Sequence, residues 1–429
     1  MRKIKPIAVV LGAGLAIALA GCSGTSAPAE EGPVDLTMTI WSANENHLAL
    51  FNEIGEAYVA ANPETVSSVT FETLSGDYLT ALTTQIAGGD TPDLAWIPEA
   101  NGKQFVESGV LYPLSPALEA ADGYDIGDLI PGAMERWSAD DEVFAYPFSN
   151  SPFGMYVNRG LVDAAGLEQP SALVDEGEWT WDAAAEIAAA ASAQAGDGVG
   201  PIMFPQGNRP DVAWDNLSTV WTGWGAQPWS SDGATCEFTS PEMSDALQWY
   251  NDAIYEQSAF VKPGETFDFN SGGAVMMTAQ LSASGAIDPA MEWDFLPLPD
   301  GPAGPSGAVG QAGIGVIAKS EHPEAAADFL AYFTNPENSA KLAQFFPPPR
   351  ESLLTLETFA QAAPAIKPED VQRTIIDVVP NAQIKAPHAN MSSIAPLVQT
   401  AFDALWMPDA DVAAVTTDIC EQITPLLEG

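Results

Sequence analysis

Residues 214–229 hold Trp214, Trp221, Trp224 and Trp229, a third of the chain's 12 tryptophans, around the stretch "WTGWGAQPW". Indoles at that density either fill a core or present flat faces on which a ligand stacks. Covalent chemistry is poorly provided for. The three histidines, His47, His322 and His388, have no metal-ligand spacing such as H-E-x-x-H, so no metal is expected. "GPSG" is not the G-x-S-x-G of a nucleophile elbow. "GAVGQAGIG" lacks both the G-K-[ST] ending of a phosphate loop and the dinucleotide fingerprint, so no cofactor is expected. "DGYDIGD" has acid spacing unlike a calcium loop. Counting does not decide on carboxylate pairs for glycoside hydrolysis, because 58 Asp and Glu create pairs by chance.

The elements that would position these residues follow from the bulk properties. A chain of 429 residues exceeds the size at which one core stops growing, so two domains are expected. With 46% apolar and 17% charged residues there is ample core. The net charge of −44 excludes a nucleic-acid partner, which needs clustered cations, and disfavours a polyanionic ligand.

The N-terminus stands apart. "MRKIK" is a basic lead, and Ile7–Ala20 is an apolar run too short for a membrane span of roughly 20 residues. "LAGC" (Leu19–Cys22) follows and looks like a bacterial lipoprotein signal, in which Cys22 receives lipid. An ordinary cleaved signal is the alternative. Removing residues 1–21 leaves 11 of the 14 basic groups against 58 acids. Residues 22–33 read as a lipid-anchored flexible tether, small, polar and rich in Pro and Gly. No later segment has the length and apolarity of a span, so a body held at the outer face of the cytoplasmic membrane is expected. Cys236 and Cys420 remain as an even pair in an oxidising compartment, either joined as a disulfide or buried as two inert thiols.

"VDLTMTIWS" alternates with period two and reads as a strand; "LALFNEIGEAYVAANP" has helical spacing and stops at Asn62-Pro63. "SSVTFETL", "DYLTALTTQIAGG" and "PDLAWI" continue as strand, glycine-closed helix and buried strand, the alternation of an open parallel sheet. A second such region starts at "FAYPFSNSPFGMYVN" and enters an Ala-rich helix capped by Thr180. "SPEMSDALQWYNDAIYE" is a further helix, "SGGAVMM" reads as another, and the tail from Ile394 to Leu427 is mostly helical.

The order of these landmarks resembles the extracellular solute-binding proteins of ABC importers, specifically the large sugar-binding family typified by maltose-binding protein. The resemblance runs over nearly all of the chain after the tether. It rests on "IWS", "AYVAANP", "LTTQIAGGDTPDLAWI", "ESGVLYPLSPAL", "FAYPF" with "MYVNRGLVDAAGL" and "TWDAAAEIA", "DFNSGGAVMM", "FLPLPDGPAG", and "HPEAAADFLAYFTNPENSAKL". Lysines frequent in the family are mostly Ala, Glu or Gln here, and Val157 interrupts its Tyr-Tyr-Asn pattern.

The resemblance implies a two-lobed α/β periplasmic-binding-protein fold of type II, with hinge closure over a ligand cleft. Lobe 1 would comprise residues 34–145 and 296–346, and lobe 2 residues 146–295 and 347–429. The chain would be a non-enzymatic monomer that delivers a neutral mono- or oligosaccharide to the transmembrane subunits of a permease. An enzyme acting on carbohydrate and an adhesion or signalling lipoprotein are the rival classes. A sugar needs aromatic faces for its C–H patches and fixed polar groups for its hydroxyls. The candidates are Trp41, Asn44 and Glu45 after the first strand, Asp93 and Trp96 around the third, and Asn150 and Ser151 at the first crossing. Gln280, Gln311, Arg350, His388 and Asn390 follow, with Trp214, Trp221 and Trp224 as stacking platforms. Trp137, Trp179, Trp181 and Trp249 read as core, and Trp229 as packing near Cys236.

Overall fold

The computed structural model describes residues 32–205, 213–380, 388 and 390–427; the side chains at 213–215, and the signal and tether readings including Cys22, lie outside the described residues. The N-terminal alternation forms as read. Strand β1 (Val34–Ile40) leads to the helix Glu45–Ala61, whose first turn is capped by the Asn44 side chain, accepting from the Asn46 and His47 amides. Strand β2 (Val66–Thr73) leads to the helix Tyr78–Gly88, which ends on Gly89 at φ 86°, a left-handed conformation costly for any residue with a Cβ. Strand β3 (Leu94–Pro98) follows, and β1 pairs in parallel with both β2 and β3. A short hairpin, β4 (Ser138–Ala139) and β5 (Glu142–Val143), precedes the longest strand, β6 (Ala145–Asn158). Strands β7 (Gly200–Met203), β8 (Ala274–Gln280), β9 (Trp293–Pro297) and β10 (Val309–Val316) complete the set.

The main sheet runs β2-β1-β3-β10-β6-β8-β7, with β9 also on β6. Strand β6 joins its two parts. Ala145–Pro152 pairs antiparallel with β10, whereas Phe153–Asn158 pairs with β8 and β9. All fourteen residues of β6 are buried, so its sequence has no polar alternation to mark the changeover.

Two large cores draw on its two halves. The first gathers Leu36, Ile40, Phe51, Trp96, Tyr146, Phe148, Ile314, Phe329 and Phe346. The second gathers Val157, Trp181, Trp221, Trp224, Phe260, Leu298, Ala308, Ile394 and Ile419. Tyr146 and Phe148 thus belong with the first core, and Leu298 and Ala308 with the second. The expected "SGGAVMM" helix is instead β8, which is buried on both faces. A short apolar run has no period that separates helix from central strand.

The remaining helices follow the sequence signals. Thr180 caps Trp181–Ala195 through the Ala183 amide, and Ser240 caps Pro241–Tyr255 through that of Met243. The tail forms the helices Met391–Phe402 and Val412–Leu427. Cys236 and Cys420 are joined as a disulfide. Among the described residues no helix is long and apolar enough to cross a membrane.

Candidate functional site

Beyond the C-terminal end of β1 the chain turns at Trp41, which is 38% exposed, one of the few large hydrophobic side chains at the surface. The ring is braced rather than free. It stands edge-on to Trp96, with centroids 4.7 Å apart, and to Tyr78 at 5.2 Å. The Tyr78 hydroxyl donates to the carbonyls of Thr39 (3.0 Å) and Trp96 (2.9 Å), tying β1 to β3 beneath the indole. Burial pushes the Tyr78 hydroxyl well above its ordinary pKa. Trp41 therefore offers an exposed aromatic surface on a rigid support.

Next to it the first helix begins. Asn44 serves as its cap, and exposed Glu45 lies in the first turn, where negative charge meets the helix dipole favourably. Asn46, another polar residue the sequence placed at this strand end, and His47, which it did not single out, reach across to the turn after β8. The Asn46 side chain donates to the Gly285 carbonyl at 2.7 Å. His47 Nδ1 lies 2.8 Å from Ser42 Oγ, and Nε2 lies 3.2 Å from the Ser282 carbonyl. Burial holds the imidazole at a pKa of about 4, so the ring is neutral near pH 7.

At the C-terminal end of β3 stand Glu99 and Asn101, also missed. Glu99 Oε2 accepts from the Gln311 amide at 2.9 Å, and its Oε1 lies 3.7 Å from an Arg136 guanidinium nitrogen. The available signal was position, since polar groups just past parallel strands face the crevice of an open α/β sheet. Asp93 sits at the opposite end of β3. Its carboxylate accepts from the Thr37 amide at 2.8 Å and braces Ser320, so it is separated from the Trp41 end by the strand's length.

Asn150, Ser151, Gln280 and Gln311 do come together at the changeover in β6, but as a bonded network. Gln311 donates to Asn150 Oδ1 (3.1 Å) and the Ala133 carbonyl (3.2 Å) and accepts from Trp137 Nε1 (3.1 Å). Gln280 donates to the carbonyls of Ser151 (3.2 Å) and Gly310 (3.0 Å), while Ser151 Oγ accepts from the Leu281 amide. The Asn150 main-chain amide donates to the Pro347 carbonyl at 2.9 Å. These side chains fix the junction between the cores.

Other candidates lie elsewhere. Trp96 is buried among Phe51, Phe148 and Phe346 and supports Trp41 from below. Arg350 is fully buried, 4.6 Å over the Tyr124 ring, donating to the Asp125 and Thr334 carbonyls and paired with Asp128. It anchors the segment after Phe346 against the first core. Trp221 is 2% exposed and packs edge-on to Phe238; Trp224 is 9% exposed and packs on Trp249 at 5.1 Å. Both rings lie in the second core with their faces against protein rather than on an open surface. The Trp214 side chain lies outside the described residues. His388 packs against Trp229, and Asn390 donates to the Leu426 carbonyl at 2.7 Å, at the start of the helix Met391–Phe402. That helix comes within 8 Å, Cα to Cα, of the Glu99–Asn101 turn, bringing the second core's last helices opposite the end of β3. Among the described residues no group of three or more His, Cys, Asp or Glu could hold a metal ion.

A parallel sheet continued by antiparallel strands, two cores joined through one long strand, and a polar and aromatic rim at the strand ends define a mixed α/β periplasmic-binding-protein fold. Solved structures share it. An ABC substrate-binding protein from Listeria monocytogenes, in complex with cycloalternan, superposes with a TM-score of 0.78 at 21% identity, over 92% of this chain and 99% of that one. Maltose-bound MalE3 of Thermotoga maritima gives 0.77 at 20% identity, over 92% and 100%. UgpB of Mycobacterium tuberculosis, in complex with glycerophosphocholine, gives 0.75 at 19%, over 92% and 98%. Residues 43–340 match the family described as "Bacterial extracellular solute-binding protein", and the chain belongs to that family. The role that goes with it is the substrate-binding subunit of an ABC importer, which holds a solute outside the cytoplasm without transforming it.

Proposed function

We propose that this subunit captures a neutral sugar or oligosaccharide between two lobes, one built on each core, and presents it to the transmembrane subunits of its permease. Lipid on Cys22 holds it at the outer face of the cytoplasmic membrane. The observation that carries the reading is Trp41, an exposed indole braced from two sides at the end of β1. An aromatic face there covers the C–H patch of a pyranose, and groups at the neighbouring strand and helix ends take its hydroxyls. Lobes that both touch the ligand are drawn together by its higher affinity for the closed state. The sugar-binding neighbours support this class of ligand. Thermal shift against maltose, maltotriose, cycloalternan and glycerophosphocholine tests it, because a ligand bound only by the folded state raises its apparent stability. Stabilisation by a sugar is expected. Stabilisation by glycerophosphocholine alone would overturn the sugar reading and leave the solute-binding role standing. Loss of the Cys22→Ala protein from the membrane fraction tests the anchor.

A further inference from the structure

The disulfide Cys236–Cys420 closes a separation of 184 residues and ties the loop that follows Trp229 to the helix Val412–Leu427. Cys236 ends a tight loop. It bridges back to Trp229, and the Ser230 amide donates to the Thr235 carbonyl at 2.9 Å. One side of this loop seats His388. The Trp229 ring lies 5.4 Å from the imidazole, edge-on, and Gly233 (φ 74°) approaches so closely that an added Cβ would stand 3.2 Å from His388 Cδ2. His388 in turn shapes the next residues: its Nδ1 accepts from the Asn390 amide at 3.0 Å and its carbonyl accepts from the Met391 amide at 3.2 Å. Asn390 then closes the first turn of the helix Met391–Phe402, its carbonyl accepting from Ser393 (2.9 Å) and Ile394 (3.0 Å). The Asn390 side chain reaches Leu426, on the helix that also carries Cys420.

We infer that the disulfide and His388 act as one positioning unit for the ligand site. This inference rests on the cleft assignment proposed above. The covalent bond fixes the 229–236 loop to the last helix, the loop fixes the imidazole, and the imidazole fixes the turn that starts the helix Met391–Phe402. That helix comes within 8 Å, Cα to Cα, of Glu99–Asn101 at the end of β3. The bond thus sets where the second lobe's wall stands when the cleft closes, in addition to restricting the unfolded chain. Cys236, Cys420 and His388 are positioning residues and make no ligand contact.

Coupling separates this role from simple stabilisation and from direct contact. The full chain, Cys236→Ser/Cys420→Ser, His388→Ala and the triple variant are titrated calorimetrically with maltotriose, well below the lowest Tm. Both changes are expected to weaken binding by about tenfold each, and the triple variant by no more than the weaker of the two. Losses that multiply in the triple variant, or an unchanged Kd on removing the disulfide, would overturn the inference. A second readout needs no ligand: amide exchange at Met391, Ser393 and Ile394 should rise about fivefold or more in both variants. Protected amides there would equally overturn it, including in a protein whose unmodified form ignores maltotriose. Absence of binding by the unmodified chain would count against maltotriose as a ligand alone.

Discussion

Two groups of tryptophans occupy the two halves of the molecule in opposite ways. Trp41 and Trp96, far apart in sequence, meet at the ends of β1 and β3, and one is left exposed on top of the other. Trp221, Trp224 and Trp229 lie within nine residues of each other and are all buried. Trp224 joins Trp181 and Trp249 in an aromatic cluster over Phe260. The two glycines flanking Trp224 are explained by protein packing. The Gly223 carbonyl accepts from the Ala303 amide at 2.9 Å; an added Cβ at Gly223 would collide with the Ser306 hydroxyl, and one at Gly301 with the Gly223 backbone. Gly225 takes φ 75°. Density of aromatic residues along the chain therefore marks core here, and an isolated tryptophan at a strand end marks the surface that can stack.

Truncations in the two groups should separate stability from binding. Trp224→Ala removes a buried indole and should cost about 3–5 kcal/mol of stability, read from urea denaturation. Affinity of the surviving folded fraction should be nearly unchanged. A stable variant with lost affinity would reverse the comparison and return Trp224 to the ligand. Trp41→Ala should do the opposite. It should weaken sugar binding by about 2 kcal/mol, roughly thirtyfold, as expected for an aromatic hot spot, while Tm moves little. Unchanged affinity there would remove the observation on which the proposed site stands.

The sequence made most of the fold legible because periodicity and caps report local forces. Asn44, Thr180 and Ser240 cap helices, Gly89 closes one, and alternation marks β1 and β2. β6 and β8 were less legible, since a strand buried on both faces loses the alternation that gives register. The site was legible only in outline. Asn150, Gln280 and Gln311 were drawn to the right junction, yet their amides turn inward to satisfy buried backbone and side-chain groups. That distinction depends on long-range partners such as Gln311 and Trp137, 174 residues apart. Glu99 and Asn101 went unnoticed because their residue types are ordinary for a turn and only their position just past β3 marks them.

His47 sharpens the comparison where the first helix meets the turn after β8, with the smallest expected effect. Its ring is packed against Phe345 and Phe346 of the first core and reaches Ser282 beyond β8. Burial lowers its folded pKa from 6.5 to about 4, so between those values the unfolded chain binds the extra proton. Stability from the neutral ring is complete above pH 6.5, declines as pH falls, and is lost by about pH 4. From pH 6.5 to 5.5 the decline should be about 1 kcal/mol. His47→Gln retains polar reach without titrating and should flatten this part of the profile in denaturant titrations at each pH. Parallel profiles for the two proteins would show that the ring is charged or solvated in the fold. The contact to Ser282 would then be too loose to join the halves.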